Sequence, residues 1–307
     1  MKTRLGYCCI SLGEHESSFK TTTLTSVKKL KDARPKLEDI WRHNLAELEK
    51  ILNYNRTIGV HLFRITSNMF PLADHQDYEH IWEKFKDNPN NFTQTKKIVA
   101  DYISHDGRLV AHPSQFVSLG ADSKETRKNS IHNLEHHGEV FDLLDLSKST
   151  EAALNIHLSS GRKGAESLLN FEKSLAGLSK SVSSRLVFET EDKSFWTWQK
   201  IAKYFPEYPI TLDFHHRNIN NEGENVSEAF DACVDSWRGK RPLMHISAGR
   251  TGEKDRKHHD WVHELPDEVC NYPVDLEIEA KQKDLAVLNL MRKYHNCLYV
   301  HTESFCP

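Results

Sequence analysis

Eight short apolar runs, nearly all followed by a stretch with helical periodicity, recur along this chain. They are RLGYCCIS (4–11), GVHLFRIT (59–66), RLVAHPS (108–114), AALNIHLS (152–159), RLVFETE (185–191), PITLDFHH (209–216), PLMHIS (242–247) and DLEIEA (275–280). Between them, apolar residues return at helical spacing, as in Ile40, Trp41, Leu45, Leu48, Ile51 and Leu52. Strands that alternate with helices form a parallel sheet with right-handed crossovers. Eight such units in 307 residues fit a single (β/α)8 TIM barrel over 1–307 better than two Rossmann halves. No GxGxxG or GxxxxGK[ST] is present, which argues against a nucleotide-binding fold. No apolar run is long enough to span a membrane, and MKTRLGYCCISL lacks a signal-peptide h-region, so a cytoplasmic protein is expected. The 6 cysteines form no CxxC, and reduced, mostly buried thiols are expected. The net charge of −3 makes no case for nucleic acid, yet leaves room for a local basic track.

In a TIM barrel the chemistry comes from the C-terminal strand ends. An interior strand should be apolar there, and these are not. The ends read Tyr7, Arg64, His112, His157, Glu189, Asp213 with His216, His245, and Glu279. One histidine on an apolar strand is usually a hydrogen-bonded core residue. A whole set converging on one mouth repels itself and is poorly solvated unless cations sit among it. The donors are imidazoles and carboxylates without thiolates, which suits zinc, manganese or iron and excludes a structural zinc knot. With His258 from the seventh loop the set is too large for one ion. It suits two or three divalent ions, the arrangement of phosphoryl chemistry.

These strand ends carry longer motifs: LGY (5–7), FRITS (63–67), AHPSQF (111–116), NIHLSSG (155–161), LDFHH (212–216), HIS (245–247), KHHDW (257–261) and LEIEAKQKD (276–284). Together they resemble the UV damage endonucleases over nearly the whole chain. The resemblance implies a barrel similar to endonuclease IV. It implies a divalent metal cluster at the mouth, manganese being usual with zinc or magnesium as alternatives. It also implies nicking of damaged double-stranded DNA immediately 5′ of a photoproduct, with abasic sites as further substrates. The implied metal ligands are His112, His157, Glu189, Asp213, His216, His245, His258 and Glu279. Glu189, His245 and Lys281 are the candidate catalytic residues; Lys281 is chosen as the nearest amine, two residues beyond Glu279 on the same strand face, with a structural or phosphate-contacting role as the stronger alternative. Gln115 and Phe116 match a pair that probes the duplex at the lesion, and Tyr7 an aromatic near the flipped nucleotides.

Three departures from the family pattern stand out. Glu189–Thr190–Glu191–Asp192 replaces Glu-Asn-Asp-Asp, Phe116 stands where a tyrosine is frequent, and Leu243 occupies the place of a metal-site lysine. Leucine has no amine to carboxylate, so no modified lysine is expected at 243. Lys254, Arg256 and Lys257, with Arg162 and Lys163, are candidate phosphate contacts. A monomer without an obligate protein partner is expected. The rival readings are an endonuclease IV-like abasic-site nuclease, a metal-dependent sugar isomerase, whose barrel also collects His, Asp and Glu at strand ends, and a lesion-binding protein without catalysis.

Overall fold

The computed structural model describes residues 2–114, 116–158, 161–193 and 195–299, with the backbone alone at 161–163. Eight parallel strands form one sheet: β1 (Arg4–Cys8), β2 (Leu62–Ile65), β3 (Arg108–Ala111), β4 (Leu154–His157), β5 (Leu186–Glu189), β6 (Ile210–Thr211), β7 (Leu243–Ile246) and β8 (Asp275–Ile278). Their order is β6-β5-β4-β3-β2-β1-β8-β7. The remaining seam, between β6 and β7, closes through a bridge of Asp213 to His245 and a bond from His245 N to Leu212 O of 2.9 Å. This is the TIM barrel that the alternation predicts.

The observed strands are shorter than the apolar runs. The sixth departs most: the backbone leaves the sheet after Thr211 and enters a helix at Phe214–Ile219. Asp213 causes the change, because its Oδ1 accepts from His216 N at 2.8 Å and so caps that helix. Asp213 and His216 therefore face the mouth from a helix start, not from a strand. The helical layer packs over the outward strand faces, with Trp41, Trp82, Phe85 and Phe92 forming one aromatic cluster.

Inside the barrel the side chains fall into layers. Lowest lies Asp275, which receives Arg4 Nε at 2.6 Å, Arg4 Nη2 at 2.7 Å and Arg108 Nη1 at 2.8 Å, all buried. Above it Leu62, Val110, Ala153, Val187 and Leu243 make an apolar plug. Gly6 keeps β1 close to β2 here, since a Cβ would stand 2.1 Å from Leu62 O. Above the plug the interior turns polar. Cys270 and Cys297 are joined as a disulfide, which corrects the expectation of reduced thiols for that pair, while Cys8, Cys9 and Cys233 are free. No helix among the described residues is long and apolar enough to cross a membrane.

Burial opposes ionisation of Asp275, but Arg4 and Arg108 hold its carboxyl below the usual range. Its contribution to stability is therefore present above the unfolded carboxyl pKa and is lost as pH falls through the lower folded value. Replacing Asp275→Asn strands two buried guanidinium groups. We expect a loss of about 3–5 kcal/mol, read from the urea denaturation midpoint.

Candidate metal centre

The polar upper layer is built around Glu189, at the end of β5 and fully buried. Its Oε2 stands 3.2 Å from His112 Nε2, and its Oε1 stands 3.5 Å from His216 Nδ1 and 3.3 Å from His245 Nδ1. One carboxylate thus faces two groups of donors. Asn155, inward on β4, donates to Oε2 and fixes its rotamer. The His157 ring lies between those of His112 and His216, with centroids 5.0 and 5.6 Å away. Glu279 receives Arg64 Nη1 at 2.6 Å and faces His258 Nδ1 at 3.6 Å.

Backbone carbonyls orient two of the imidazoles. His112 Nδ1 donates to Pro113 O at 3.1 Å and His216 Nδ1 to Thr190 O at 2.9 Å. Nε2 of each is then the ring atom that would ligate an ion, with Nδ1 held by the usual outer support of a metal-binding histidine. Three sets of donor atoms are mutually close enough to hold an ion: His112–His157–Glu189, Glu189–Asp213–His216, and His245–Glu277–Glu279. Several of these atoms are buried without a hydrogen-bond partner: His157 Nδ1, Asp213 Oδ2, both ring nitrogens of His245, and both carboxylate oxygens of Glu277. Orphaned polar atoms of this kind are costly unless a cation completes them, so the residues fit divalent metals.

The structure thus brings together His112, His157, Glu189, Asp213, His216, His245, His258 and Glu279. His258 faces Glu279, whereas His259 Nδ1 accepts from Trp261 N at 3.0 Å. Phe116 is 79% exposed on the rim. It lines a cleft of about 610 Å³ together with Arg64, His112, His157 and Glu279. Gln115, and the side chains of Arg162 and Lys163, lie outside the described residues.

Two residues expected at the site are elsewhere. Tyr7 is fully buried on the outward face of β1, its hydroxyl donating to Asn55 Oδ1 at 2.6 Å and its ring edge-on to Phe63. Strand alternation points Gly6 and Cys8 inward instead. Lys281 is 44% exposed and pairs with Asp260 at 3.0 Å. Because β8 ends at Ile278, alternation does not carry to 281. Lys254 and Arg256 are engaged within the protein, with Asn218 O and Asp192. Leu243 sits in the apolar plug, without an amine to offer. Sequence reasoning missed Glu277, whose signal was its place two residues before Glu279 on an inward strand face.

Protons supply positive charge among these carboxylates. Burial disfavours the charged form of His245, yet Glu189 and Glu277 outweigh it and hold the imidazole at about 10. Against the same burial, Asp213 and Glu189 raise His216 to about 9. Burial pushes His157 down and raises Glu277 to about 8. Glu189 is itself held well below the usual carboxylate range: burial opposes this, but His245 and His157 prevail.

The barrel and its donor set define a TIM barrel with a candidate metal site at its mouth. Endonuclease IV from Thermus thermophilus shares the fold, with TM-score 0.57 and 15% identity over 95% of this chain and 98% of that one. The UV-endonuclease UvdE family model matches residues 3–304, and the chain belongs to that family of endonucleases. The crystal structure of SacUVDE superposes with TM-score 0.79 and 25% identity, covering 96% of this chain and all of the other. A UV DNA damage endonuclease of Nostoc sp. is 31% identical over 298 residues, 93% of this chain and 88% of the relative. A UV-damage endonuclease of Schizosaccharomyces pombe is 30% identical over 313 residues, but the match spans only 50% of that protein.

An imidazolium must lose its proton before it can ligate. Below about 9, His216 and His245 are both charged in the metal-free protein. Divalent-metal binding at pH 7–8 should therefore release protons, and apparent affinity should rise with pH. Calorimetric titration in buffers of different ionisation enthalpy measures that release.

Proposed function

We propose that this protein is a metal-dependent endonuclease that hydrolyses the phosphodiester immediately 5′ of a UV photoproduct in double-stranded DNA, with abasic sites as further substrates. One observation carries the reading: the exposed Phe116 shares a cleft of about 610 Å³ with ligand candidates His112, His157 and Glu279. A sugar-sized substrate has no use for an aromatic wedge on the rim, whereas a base stack does. Two or three divalent ions, manganese foremost, would supply Lewis-acid activation of a water and of the scissile phosphate.

The chain's own residues hold that arrangement. His112 and His216, tethered through Nδ1, present Nε2 in fixed directions. Glu189 offers one oxygen to each donor group and would help hold an ion on either side. A photoproduct stacks poorly, so its extrusion costs less than that of a normal base. Phe116, with Gln115 beside it, fills the gap that extrusion leaves. The enzyme acts as a monomer on DNA and needs no protein partner.

An end-labelled duplex with one defined lesion provides the assay. Incision in Mn²⁺ should vanish with EDTA, and Glu189→Gln should slow it by about 100-fold or more, equivalent to about 3 kcal/mol of barrier. Rates that survive both treatments contradict the metal reading. Phe116→Ala should weaken lesion binding by about 5- to 150-fold, the value of a stacking contact of about 1–3 kcal/mol, while metal content is unchanged. An abasic substrate should suffer less. Equal losses on every substrate point instead to a packing role.

A further inference from the structure

Glu277 lies deeper in the barrel than the donors around Glu189. It belongs to β8, in register with His245 of β7 and Gly6 of β1, and is fully buried. Directly below this layer comes the apolar plug that contains Leu243 and Leu62. A carboxylate there has lost its water, and it has not regained equivalent partners. Arg64 Nη1 lies 2.8 Å from its Oε1, yet neither carboxylate oxygen has a hydrogen bond of acceptable geometry. Oε2 faces His245 Nε2 at 3.6 Å, and His245 is likewise fully buried with neither ring nitrogen bonded.

The spacing itself is informative. At 3.6 Å a nitrogen and an oxygen are too far apart for a hydrogen bond. Two donors that share one ion at ordinary bond lengths of roughly 2.1 Å stand roughly 3.0–3.6 Å apart. His245, Glu277 and Glu279 thus form a three-donor set on adjacent strands, each with an atom within 4.8 Å of the others. Arg64 bonds Glu279 on one oxygen and approaches Glu277 on one, which leaves the second oxygen of each carboxylate free of it.

We propose that Glu277 is a metal ligand, and that with His245 and Glu279 it forms an ion position deeper in the barrel than those around Glu189. The position is divalent and oxygen-rich, suited to manganese or magnesium more than to zinc. It rests on the reading of the mouth as a metal centre, and it adds a residue to that centre. His245 is then the junction between the two depths, with one ring nitrogen facing Glu189 and the other Glu277.

Metal binding, not nicking, is the test. Metal-stripped full-length protein is titrated with Mn²⁺, and bound manganese is counted by calorimetry and by loss of the free-ion electron paramagnetic resonance signal. Wild type should bind one more equivalent than Glu277→Gln, or bind its last equivalent at least about tenfold more tightly. Unchanged stoichiometry and affinity in Glu277→Gln, with wild type binding normally, overturns this inference alone and leaves Glu277 as a counter-ion of Arg64. Wild type that binds no manganese overturns the metal centre as a whole. Should the variant not fold, anomalous scattering at the manganese edge from Mn²⁺-soaked wild-type crystals decides. A peak within bonding distance of the Glu277 carboxylate supports the assignment, and peaks confined to the Glu189 donors refute it.

Discussion

Carboxylates buried with too little fixed positive charge govern this barrel. The contrast is drawn along one strand. Asp275 and Glu277 of β8 and Glu279 just beyond it, whose N–H still pairs with Ile246 O, are spaced by two residues and so line the interior in succession. Asp275 is saturated by two arginines, while Glu277 and Glu279 divide one guanidinium nitrogen of Arg64. Going up the barrel, the protein passes from electrostatic closure to electrostatic deficit. The lower end is thereby a structural lock, and the upper end a place that gains from an outside cation.

That division also explains which features could be read from the chain alone. The eight apolar runs and their intervening helical periods leave few folds open, and the polar strand ends single out the mouth. Tyr7 was misplaced because the strands of a barrel are covered on both faces, so an apolar strand carries no mark of which parity faces inward. Lys281 failed for a different reason: strand alternation was extended past the end of β8. The sixth run hid a switch from strand to helix, set by the capping carboxylate of Asp213. Glu277 escaped notice because a glutamate one layer below a strand end looks like a surface residue of an alternating strand. The Cys270–Cys297 pair is separated by 27 residues and becomes visible only when the helix at Asp267–Asn271 meets the turn after the helix at Lys283–Lys293.

Rigidity and adaptability are separated as well. Apart from His258 of the seventh loop, the donors sit on strands or within a few residues of their ends, supported by Asn155 and by backbone carbonyls. Phe116 stands on a loop after β3, with its ring in solvent. A centre that must hold several ligands to fractions of an ångström gains from the first arrangement. A side chain proposed to wedge into a duplex of varied shape gains from the second.

The barrel is also a hoop with a clasp. Its weakest join is the β6–β7 seam, where β6 contributes only Ile210 and Thr211 and closure falls to the Asp213–His245 bridge. Both residues of that clasp are members of the donor set. Closing the ring thus sets two of the donors side by side, and any cation shared between the two sides would act as a rivet through the join.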